Sequence, residues 1–263
     1  MHPPRLMKLR QWLSTYAAGF CQNDPPGRYH IELKRRHSIR VCAQMRALAV
    51  QLGLPGSEIE TAQVIGLLHD VGRFDQYDRF RTFNDRHSLD HAAHSVTVIE
   101  KQEVLADYTT TQQRRIACAI AHHNKAALPA SLQDGVRFWC QLIRDADKLD
   151  IYRVALGQQR ALARNQSSID LYHDFPDEPQ VSDRVYGCIL AGGIADVNDL
   201  VYLNDLKLMQ MAWVFDLNFT PSFHMVRRRK YLEGIYASMP RDHRVQEAYR
   251  CVRAYLAKRL EKP

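Results

Sequence analysis

The 263-residue sequence has few of the residues that interrupt helices. It contains 12 glycines and 11 prolines, and this scarcity argues against a fold of many short strands joined by turns. It also lacks any stretch approaching the ~20 apolar residues that a membrane-spanning helix needs. We therefore expect long helices in a protein that does not use a membrane as its partner.

The sequence contains no Cys-x-x-C pair. Its six cysteines are widely scattered, so neither a zinc ribbon nor a redox motif is indicated. Several lie in apolar helical stretches, where a free cysteine behaves as a small hydrophobe. The segment Met1–Phe20 lacks the continuous apolar core of a signal peptide and is interpreted as an amphipathic helix. Together these features favour the reducing cytoplasm as the location of the protein.

Basic residues outnumber acidic ones, 36 to 29, which gives a formal net charge of +7. An excess of this size suits a phosphorylated or otherwise anionic partner. Two runs, Lys34–Arg36 and Arg227–Lys230, supply much of the local positive charge. Either run could contact nucleic acid or an acidic membrane surface, but a solvated helix face is the favoured explanation of each.

Apolar residues recur at spacings of three and four after His37, which indicates an amphipathic helix. The segment Gly53–Gly56 ends that helix. Ser57 and Glu60 have the spacing of a capping box, which predicts the start of a second helix that runs into His69-Asp70. These residues thus predict two helices separated by a short turn.

The middle of the chain alternates between loops and helices. Phe74–Arg86 is aromatic and charged without a period and is predicted to be a loop, whereas a helix is expected from about Leu89 to Glu103. Thr110 and Gln113 form a second capping box ahead of another helix. Val136–Ala163 is predicted to be one long helix. Beyond a polar break at 165–179, three further segments are predicted to be helical: Val181–Gly192, Val197–Phe215 and Met225–Arg259. The predicted fold class is all-α.

Histidines and aspartates recur at the ends and faces of these predicted helices. Imidazole and carboxylate are the ligands that suit Fe, Mn, Zn or Ni. Adjacent residues of a helix point about 100° apart, so a His-Asp or His-His doublet suits two neighbouring ions better than one, and an aspartate can bridge them. The pattern predicts a metal centre inside a helical bundle. The seven residues of the pattern are His37, His69, Asp70, His91, His122, His123 and Asp147.

The order of these residues resembles that of the HD-domain superfamily, dinuclear type. Four local contexts are similar to its motifs, and the resemblance runs from about His30 to Gly157. It implies an all-α HD-domain bundle with additional C-terminal helices, in a single helical domain 1–263 with a core of about 28–163 and an extension of about 164–263. The four contexts are LLHDVGRF (Leu67–Phe74), DHAAHSVTVI (Asp90–Ile99), AIAHHN (Ala119–Asn124) and IRDADKLD (Ile143–Asp150).

The resemblance also implies a ligand set, carried over position by position. It implies one or two divalent transition-metal ions per chain, Mn, Fe, Ni or Zn, with Asp70 bridging two of them. The ligands of the first ion would be His37, His69, Asp70 and Asp147. The additional ligands of the second ion would be His91, His122 and His123.

Two departures from the family pattern leave questions open. Ser95 stands where the dinuclear helix usually has glycine, and His87 and His94 lie at helical spacing from His91, so either could replace it as the ligand. Arg73 stands where cyclic-dinucleotide phosphodiesterases of this superfamily carry lysine, and their Gly-Tyr-Pro element is absent. We therefore do not assign a cyclic dinucleotide as the substrate.

The family's usual reaction is hydrolysis of a phosphate monoester or diester by a metal-activated hydroxide. The resemblance therefore implies a small phosphorylated substrate, such as a nucleotide. The predicted catalytic residues are Asp70, Arg73 and Lys148. Cations hold phosphate oxygens, and arginine does so through two parallel hydrogen bonds. The predicted substrate-binding cations are Arg40, Arg73, Lys125 and Lys148.

Two other functions remain as alternatives. Some relatives with the same ligand order are mixed-valent di-iron oxygenases, which place gating residues just before the first histidine, where Tyr29 and Glu32 lie. A non-enzymatic protein could instead bind nucleic acid through Arg227–Lys230 and keep an HD-like core. The sequence predicts neither the substrate nor the oligomeric state.

Overall fold

The structure is a computed structural model that describes residues 4–163 and 175–261. Throughout this part of the chain the regular secondary structure is helical and contains no strand. The prediction of an all-α fold is therefore confirmed. The α-helices are α1 (Pro4–Ala18), α2 (Pro25–Gln51), α3 (Gly56–Leu68), α4 (Gly72–Phe80), α5 (His91–Lys101), α6 (Thr110–Ala121), α7 (Asp134–Ala163), α8 (Asp183–Leu190), α9 (Leu203–Ala212), α10 (Thr220–Arg229), α11 (Tyr231–Ala237) and α12 (His243–Glu261).

The chain forms two compact units, Met1–Asp147 and Lys148–Pro263. In the first unit α2 packs on α3 and α4, α3 packs on α6, and α5 lies between α4 and α6. In the second unit α12 packs on α8, α9, α10 and α11. The division into a core of about 28–163 and an extension of about 164–263 stays a prediction.

Helix α2 begins twelve residues before His37, so that histidine lies in mid-helix and not at its start. Asp24 is the N-cap, and its side chain accepts a hydrogen bond from the backbone N–H of Gly27. Pro25 and Pro26 occupy the first turn, where the missing N–H costs nothing. The length of α2 places both Lys34 and His37 on one continuous element.

The predicted loop Phe74–Arg86 is wrong in its first half, which forms α4. Phe74 is fully buried and its ring lies 6.1 Å from that of Phe20. Gln76 is also fully buried and donates hydrogen bonds to Asp85 and Ser88. The helix therefore buries Phe74 and the polar Gln76, which are two residues apart and lie on different sides of the helix. It ends at Arg81, whose φ of 55° is left-handed.

The predicted capping boxes are also wrong in detail. Thr109 and Gln112, one residue earlier than predicted, form the box at α6. Helix α3 has Pro55 at its N-cap and no side-chain cap. Neither shift moves a helix by more than a residue or two.

Among the helices of the described ranges, none has the length and hydropathy needed to cross a bilayer.

Candidate metal centre

Four of the predicted ligands form a first group. His37 on α2 lies with its Nε2 3.0 Å from Oδ1 of Asp147 on α7 and 3.6 Å from Oδ2 of Asp70. His69, at the C-cap of α3, has its Nε2 3.3 Å from Nε2 of His37. His69 Nε2 is also 3.7 Å from Oδ2 of Asp70 and 3.7 Å from Oδ1 of Asp147. Two imidazoles and two carboxylate oxygens thus point at one small space.

A second group meets the other oxygen of Asp70. Oδ1 of Asp70 lies 3.4 Å from Nε2 of His91 and 3.7 Å from Nε2 of His123. His91 and His123 face each other, with their Nε2 atoms 3.0 Å apart. Asp70 therefore presents one oxygen to each group, which is the arrangement of a bridging carboxylate.

The hydrogen bonds of the rings fix where their protons lie. Nδ1 of His69 faces the carbonyl oxygen of Gly66 at 2.9 Å, and Nδ1 of His123 faces that of Ile120 at 2.7 Å. A carbonyl oxygen cannot donate, so each Nδ1 carries a proton, and in the neutral ring the lone pair then lies on Nε2. Nδ1 of His91 likewise faces a carboxylate oxygen of Asp85, at 2.6 Å. The Nε2 lone pairs are therefore directed into the two groups.

The two facing lone pairs of His91 and His123 indicate a metal ion. When both rings are neutral, neither Nε2 has a proton to donate to the other across 3.0 Å, and the contact is repulsive unless a cation lies beside both atoms. Imidazole held at Nδ1 by a carbonyl or carboxylate is the usual form of a metal ligand. All donors in both groups are nitrogen or oxygen, which suits Mn, Fe, Ni or Zn. The residues present fit one or two divalent ions.

The protonation states also suit metal binding. Burial, reinforced by the Arg73 charge, lowers the pKa of His91 to about 3, so the ring stays neutral. Burial also lowers the pKa of His69. Burial alone would raise the pKa of Asp70, but the Lys34 charge and the neighbouring imidazoles outweigh it and hold that pKa well below its usual range. Neutral imidazole and ionised carboxylate are the forms that bind metals.

Asp85 supports the second group and was missed by the sequence analysis. Besides His91 it accepts hydrogen bonds from Arg73, Gln76 and Asn124, at 2.9, 2.9 and 3.2 Å. It lies in the aperiodic segment after α4, where no spacing marks it. Only its position after folding connects it with the metal ligands.

Lys125 and its neighbours hold the turn that carries His123. Lys125 forms an ion pair with Asp90, the N-cap of α5, and Asn124 donates a 2.8 Å hydrogen bond to the same carboxylate. Burial would raise the pKa of Asp90, but these contacts lower it to about 2. The buried Arg144 donates to the carbonyl oxygens of His123, Lys125 and Ala126. In this structure the predicted substrate ligand Lys125 therefore joins two elements of the centre.

Two cations lie against the bridging carboxylate. Nζ of Lys34 is 3.0 Å from Oδ2 of Asp70, and Nε of Arg73 is 3.5 Å from Oδ1. Both cations also lie near the ring of Phe83, at 5.1 and 5.9 Å from its centroid. Arg73 was predicted at the site, whereas Lys34 was noticed only as part of a basic run. The position of Lys34, one helical turn before His37, was the sequence feature that could have identified it.

The three histidines His87, His91 and His94 differ in their contacts. His91 lies in the second group, whereas His94 binds Asp75 at 2.8 Å and His87 is exposed. The contacts of His122 differ from those of the other predicted ligands. Its Nδ1 lies 2.8 Å from the carbonyl oxygen of Cys118, and no candidate metal group of the described residues combines it with Asp70. The His122 ring lies against Cys118 of its own helix, since residues four apart in a helix share a face.

The remaining predicted residues lie as follows. Arg40 is half-buried on α2, one turn after His37. Lys148 forms an ion pair of 2.7 Å with Asp216 inside the second unit. Tyr29 is 47% exposed, and Glu32 forms ion pairs of 2.6 Å with Arg35 and Arg36, so neither shows a contact with the ligands. The basic residues Arg227–Lys230 are exposed at the end of α10.

The contacts of Ser95 account for serine at a position where the family pattern has glycine. Its buried hydroxyl accepts a 2.9 Å hydrogen bond from the backbone N–H of Gly72. A Cβ atom at Gly72 would lie 2.7 Å from both the carbonyl oxygen of His91 and the backbone nitrogen of Ser95. The glycine of His-Asp-Val-Gly therefore allows the start of α4 to touch α5 directly, which sets His91 opposite Asp70.

Comparison with known families agrees with this geometry. Residues 35–152 match the family model of the HD domain. No curated protein and no solved structure matches the chain. The matched range contains both groups of ligands, and HD domains are generally metal-dependent phosphohydrolases. Residues 35–152 of this chain, a little under half of its length, are therefore similar to the HD domain.

Proposed function

We propose that this protein is a metal-dependent phosphohydrolase that acts on a small phosphate monoester or diester, such as a nucleotide. The observation that carries the proposal is the position of Asp70, with one carboxylate oxygen facing each of two groups of imidazole nitrogens. This arrangement supports a centre of two divalent ions with Asp70 as the shared ligand. The first ion would be held by His37, His69, Asp70 and Asp147.

The second ion would be held by Asp70, His91 and His123. Paired divalent ions lower the pKa of a bound water and neutralise the charge that develops on the attacking and leaving oxygens of a phosphoryl group. Three protein ligands leave coordination positions open for water and substrate. His122 stays a predicted ligand that these contacts do not support.

Arg73 and Lys34 are the cations best placed to orient a phosphate group. Both lie against Asp70, and Lys34 has an exposed fraction of 20% against 14% for Arg73. Nη1 of Arg73 is held by Asp85 and by the carbonyl oxygen of Phe83. Its Nε is buried and has no hydrogen-bond partner among the described residues. A non-bridging phosphate oxygen would satisfy this donor, since guanidinium groups bind phosphate through adjacent N–H groups.

The test is an assay of metal-loaded protein with a matched pair of variants. Wild type loaded with Mn²⁺ is tested against nucleotides, cyclic dinucleotides and a generic phosphodiester. Asp70→Ala should abolish turnover. Asp75→Ala, which removes a nearby carboxylate that binds His94 instead of the ligand groups, should retain it.

Two results would contradict the proposal. Full activity of Asp70→Ala would show that the hydrolysis comes from elsewhere. Failure of wild type to hydrolyse any member of the panel with Mn²⁺, Fe²⁺, Ni²⁺ or Zn²⁺ would favour the di-iron oxygenase. Paramagnetic resonance of iron-loaded protein would then be the next measurement, since a coupled Fe(II)/Fe(III) pair gives a characteristic signal.

A further inference from the structure

A separate cluster of metal-binding side chains lies at the end of α6. Cys118 and His122 are one helical turn apart, with Sγ 3.6 Å from Nδ1. Cys140 on α7 faces them, and its Sγ lies 3.9 Å from the carbonyl oxygen of Cys118. One donor atom from each of these three residues lies within 4.8 Å of the others. The cluster therefore joins an i,i+4 pair on one helix with a third side chain from the next helix.

The donors of this cluster differ in kind from those of the two His/Asp ligand groups, which we call the HD centre. Two sulfurs and one imidazole nitrogen suit thiophilic ions, whereas carboxylate and imidazole suit harder ones. Zinc bonds of about 2.3 Å to sulfur and about 2.0 Å to nitrogen, at a tetrahedral angle, place these atoms about 3.5 Å apart. The 3.6 Å separation of Cys118 Sγ and His122 Nδ1 is close to this value.

We propose that Cys118, His122 and Cys140 bind one thiophilic d¹⁰ cation of the Zn²⁺ class. Each cysteine thiol releases its proton when the ion binds. The proton on Nδ1 of His122 moves to Nε2, and the lone pair of Nδ1 turns from the carbonyl oxygen of Cys118 to the ion. Cys118 and His122 are half-buried, so the fourth coordination position is open to water. The site is independent of the proposed hydrolysis.

Burial favours the protonated thiols when the ion is absent. It raises the pKa of Cys140 to about 12, with the Cys118 sulfur adding to the effect, and it also raises the pKa of Cys118. Because the ion displaces these protons, its affinity rises with pH. The unliganded cluster thus contains two neutral thiols.

The ion would link α6 to α7 directly beside the HD centre. His122 precedes His123, a member of the second ligand group. Cys140 lies two helical turns before Asp147, a member of the first group, on α7. A cation at the cluster therefore fixes the two helix segments from which these ligands project. Its role is to hold the helices together, since none of its three ligands contacts Asp70.

A Cd²⁺ titration of the reduced full-length protein tests this proposal. Binding is followed by the ultraviolet charge-transfer band of thiolate–Cd²⁺ bonds, which the His/Asp centre cannot produce because it contains no sulfur. We expect one such site per chain, displaced by Zn²⁺. Cys118→Ser and Cys140→Ser should lose the band, and His122→Asn should weaken Cd²⁺ binding at least tenfold. Cys188→Ser, a half-buried cysteine outside every candidate group of the described residues, should keep it.

Circular dichroism and thermal unfolding verify that each variant is folded. If the buried Cys140→Ser variant does not fold, the half-buried positions Cys118 and His122 decide the question. Absence of the band in wild type, or its survival in both Cys118→Ser and Cys140→Ser, would overturn the proposal. Loss of hydrolysis with the band intact would concern the HD centre alone.

Discussion

The carboxylate of Asp85 lies 2.6 Å from Nδ1 of His91, while Nε2 of the same ring faces His123 at 3.0 Å. A carboxylate in this position fixes the tautomer of a metal-binding imidazole and increases its basicity. The short segment after α4 therefore controls a ligand that lies six residues further along the chain.

Replacing Asp85 with asparagine should weaken the second metal ion selectively. We expect Asp85→Asn to lower its affinity about 10- to 100-fold, because the ring loses its charged acceptor. The first ion should be retained, because the ligand that Asp85 contacts, His91, belongs to the second group. Metal content after dialysis and calorimetric titration measure both sites.

The matched control for this change is Asp75→Asn. Asp75 accepts a 2.8 Å hydrogen bond from His94, a carboxylate–imidazole pair of the same kind outside the ligand groups. The Asp75→Asn variant should keep both ions. Equal losses in the two variants would show that Asp85 has no special connection with the metal.

Asp70→Asn should affect both ions at once. An amide offers one oxygen and no negative charge in place of a carboxylate that faces both groups. We expect at least one ion to be lost and hydrolysis to fall by roughly 100-fold or more, equivalent to about 2.7 kcal/mol of barrier. Elemental analysis with a steady-state assay measures both effects. A variant with two ions and wild-type turnover would exclude Asp70 as the bridge.

Lys34→Met should raise KM more than it lowers kcat. The side chain lies 3.0 Å from Asp70 and is partly exposed, so it can meet a phosphate oxygen that enters the centre. Loss of one such charged contact should raise KM about tenfold, or about 1.4 kcal/mol. Lys8→Met is the control, because Lys8 is exposed and pairs with Asp107. Identical kinetics of wild type and Lys34→Met would exclude Lys34 from substrate binding.

Metal-free protein should lose stability as the pH falls below 6.5. The pKa of His91 is lowered from 6.5 to about 3 in the folded state. Between these values the unfolded chain binds a proton that the folded chain does not, so the free energy of unfolding decreases with falling pH. At pH 5.5 the decrease from His91 alone is on the order of 1 kcal/mol, and His69 acts in the same direction.

Urea unfolding of chelator-treated protein at pH 7.5 and 5.5 measures this dependence. His91→Gln should show a smaller decrease than wild type, whereas His87→Gln, at an exposed position, should behave as wild type does. Stability that is constant or rises over this range would mean that the buried histidines do not titrate as inferred.

Gly72→Ala should destabilise the protein by roughly 1–3 kcal/mol, the usual cost of inserting a methyl group into a packed contact. The new Cβ atom would lie 2.7 Å from backbone atoms of His91 and Ser95, and neither helix can yield without moving the other. Thermal unfolding measures the loss. Gly135→Ala, where an added Cβ meets nothing within 4 Å, should change stability little.

Much of the site could be predicted from the sequence because the donors themselves are ordered along it. The types of the ligands, the His-Asp and His-His doublets and the helical spacing around them predict a metal centre in an all-α fold. The resemblance to the HD-domain superfamily also implied that Asp70 would bridge two ions. The predicted long helix at Val136–Ala163 is confirmed by α7, which begins at Asp134.

Helix α4 and the start of α6 were predicted less well. Helix α4 was taken for a loop because its buried face includes Gln76, whose hydrogen bonds replace apolar contacts. Likewise, the capping box at α6 was shifted by one residue, since adjacent threonines have the same local chemistry.

Sequence by itself determined the chemistry available to this protein, namely imidazole and carboxylate donors on helices. Tertiary structure alone decided which of them meet. The packing of Gly72 on α5 brings His91 to Asp70 and leaves His94 to Asp75. Lys34 reaches Asp70 across 36 positions of the chain, and His122 meets Cys140 instead of the centre. Which side chains meet depends on how one helix is rotated and packed against another. Contacts between distant residues determine this packing, whereas local spacing does not.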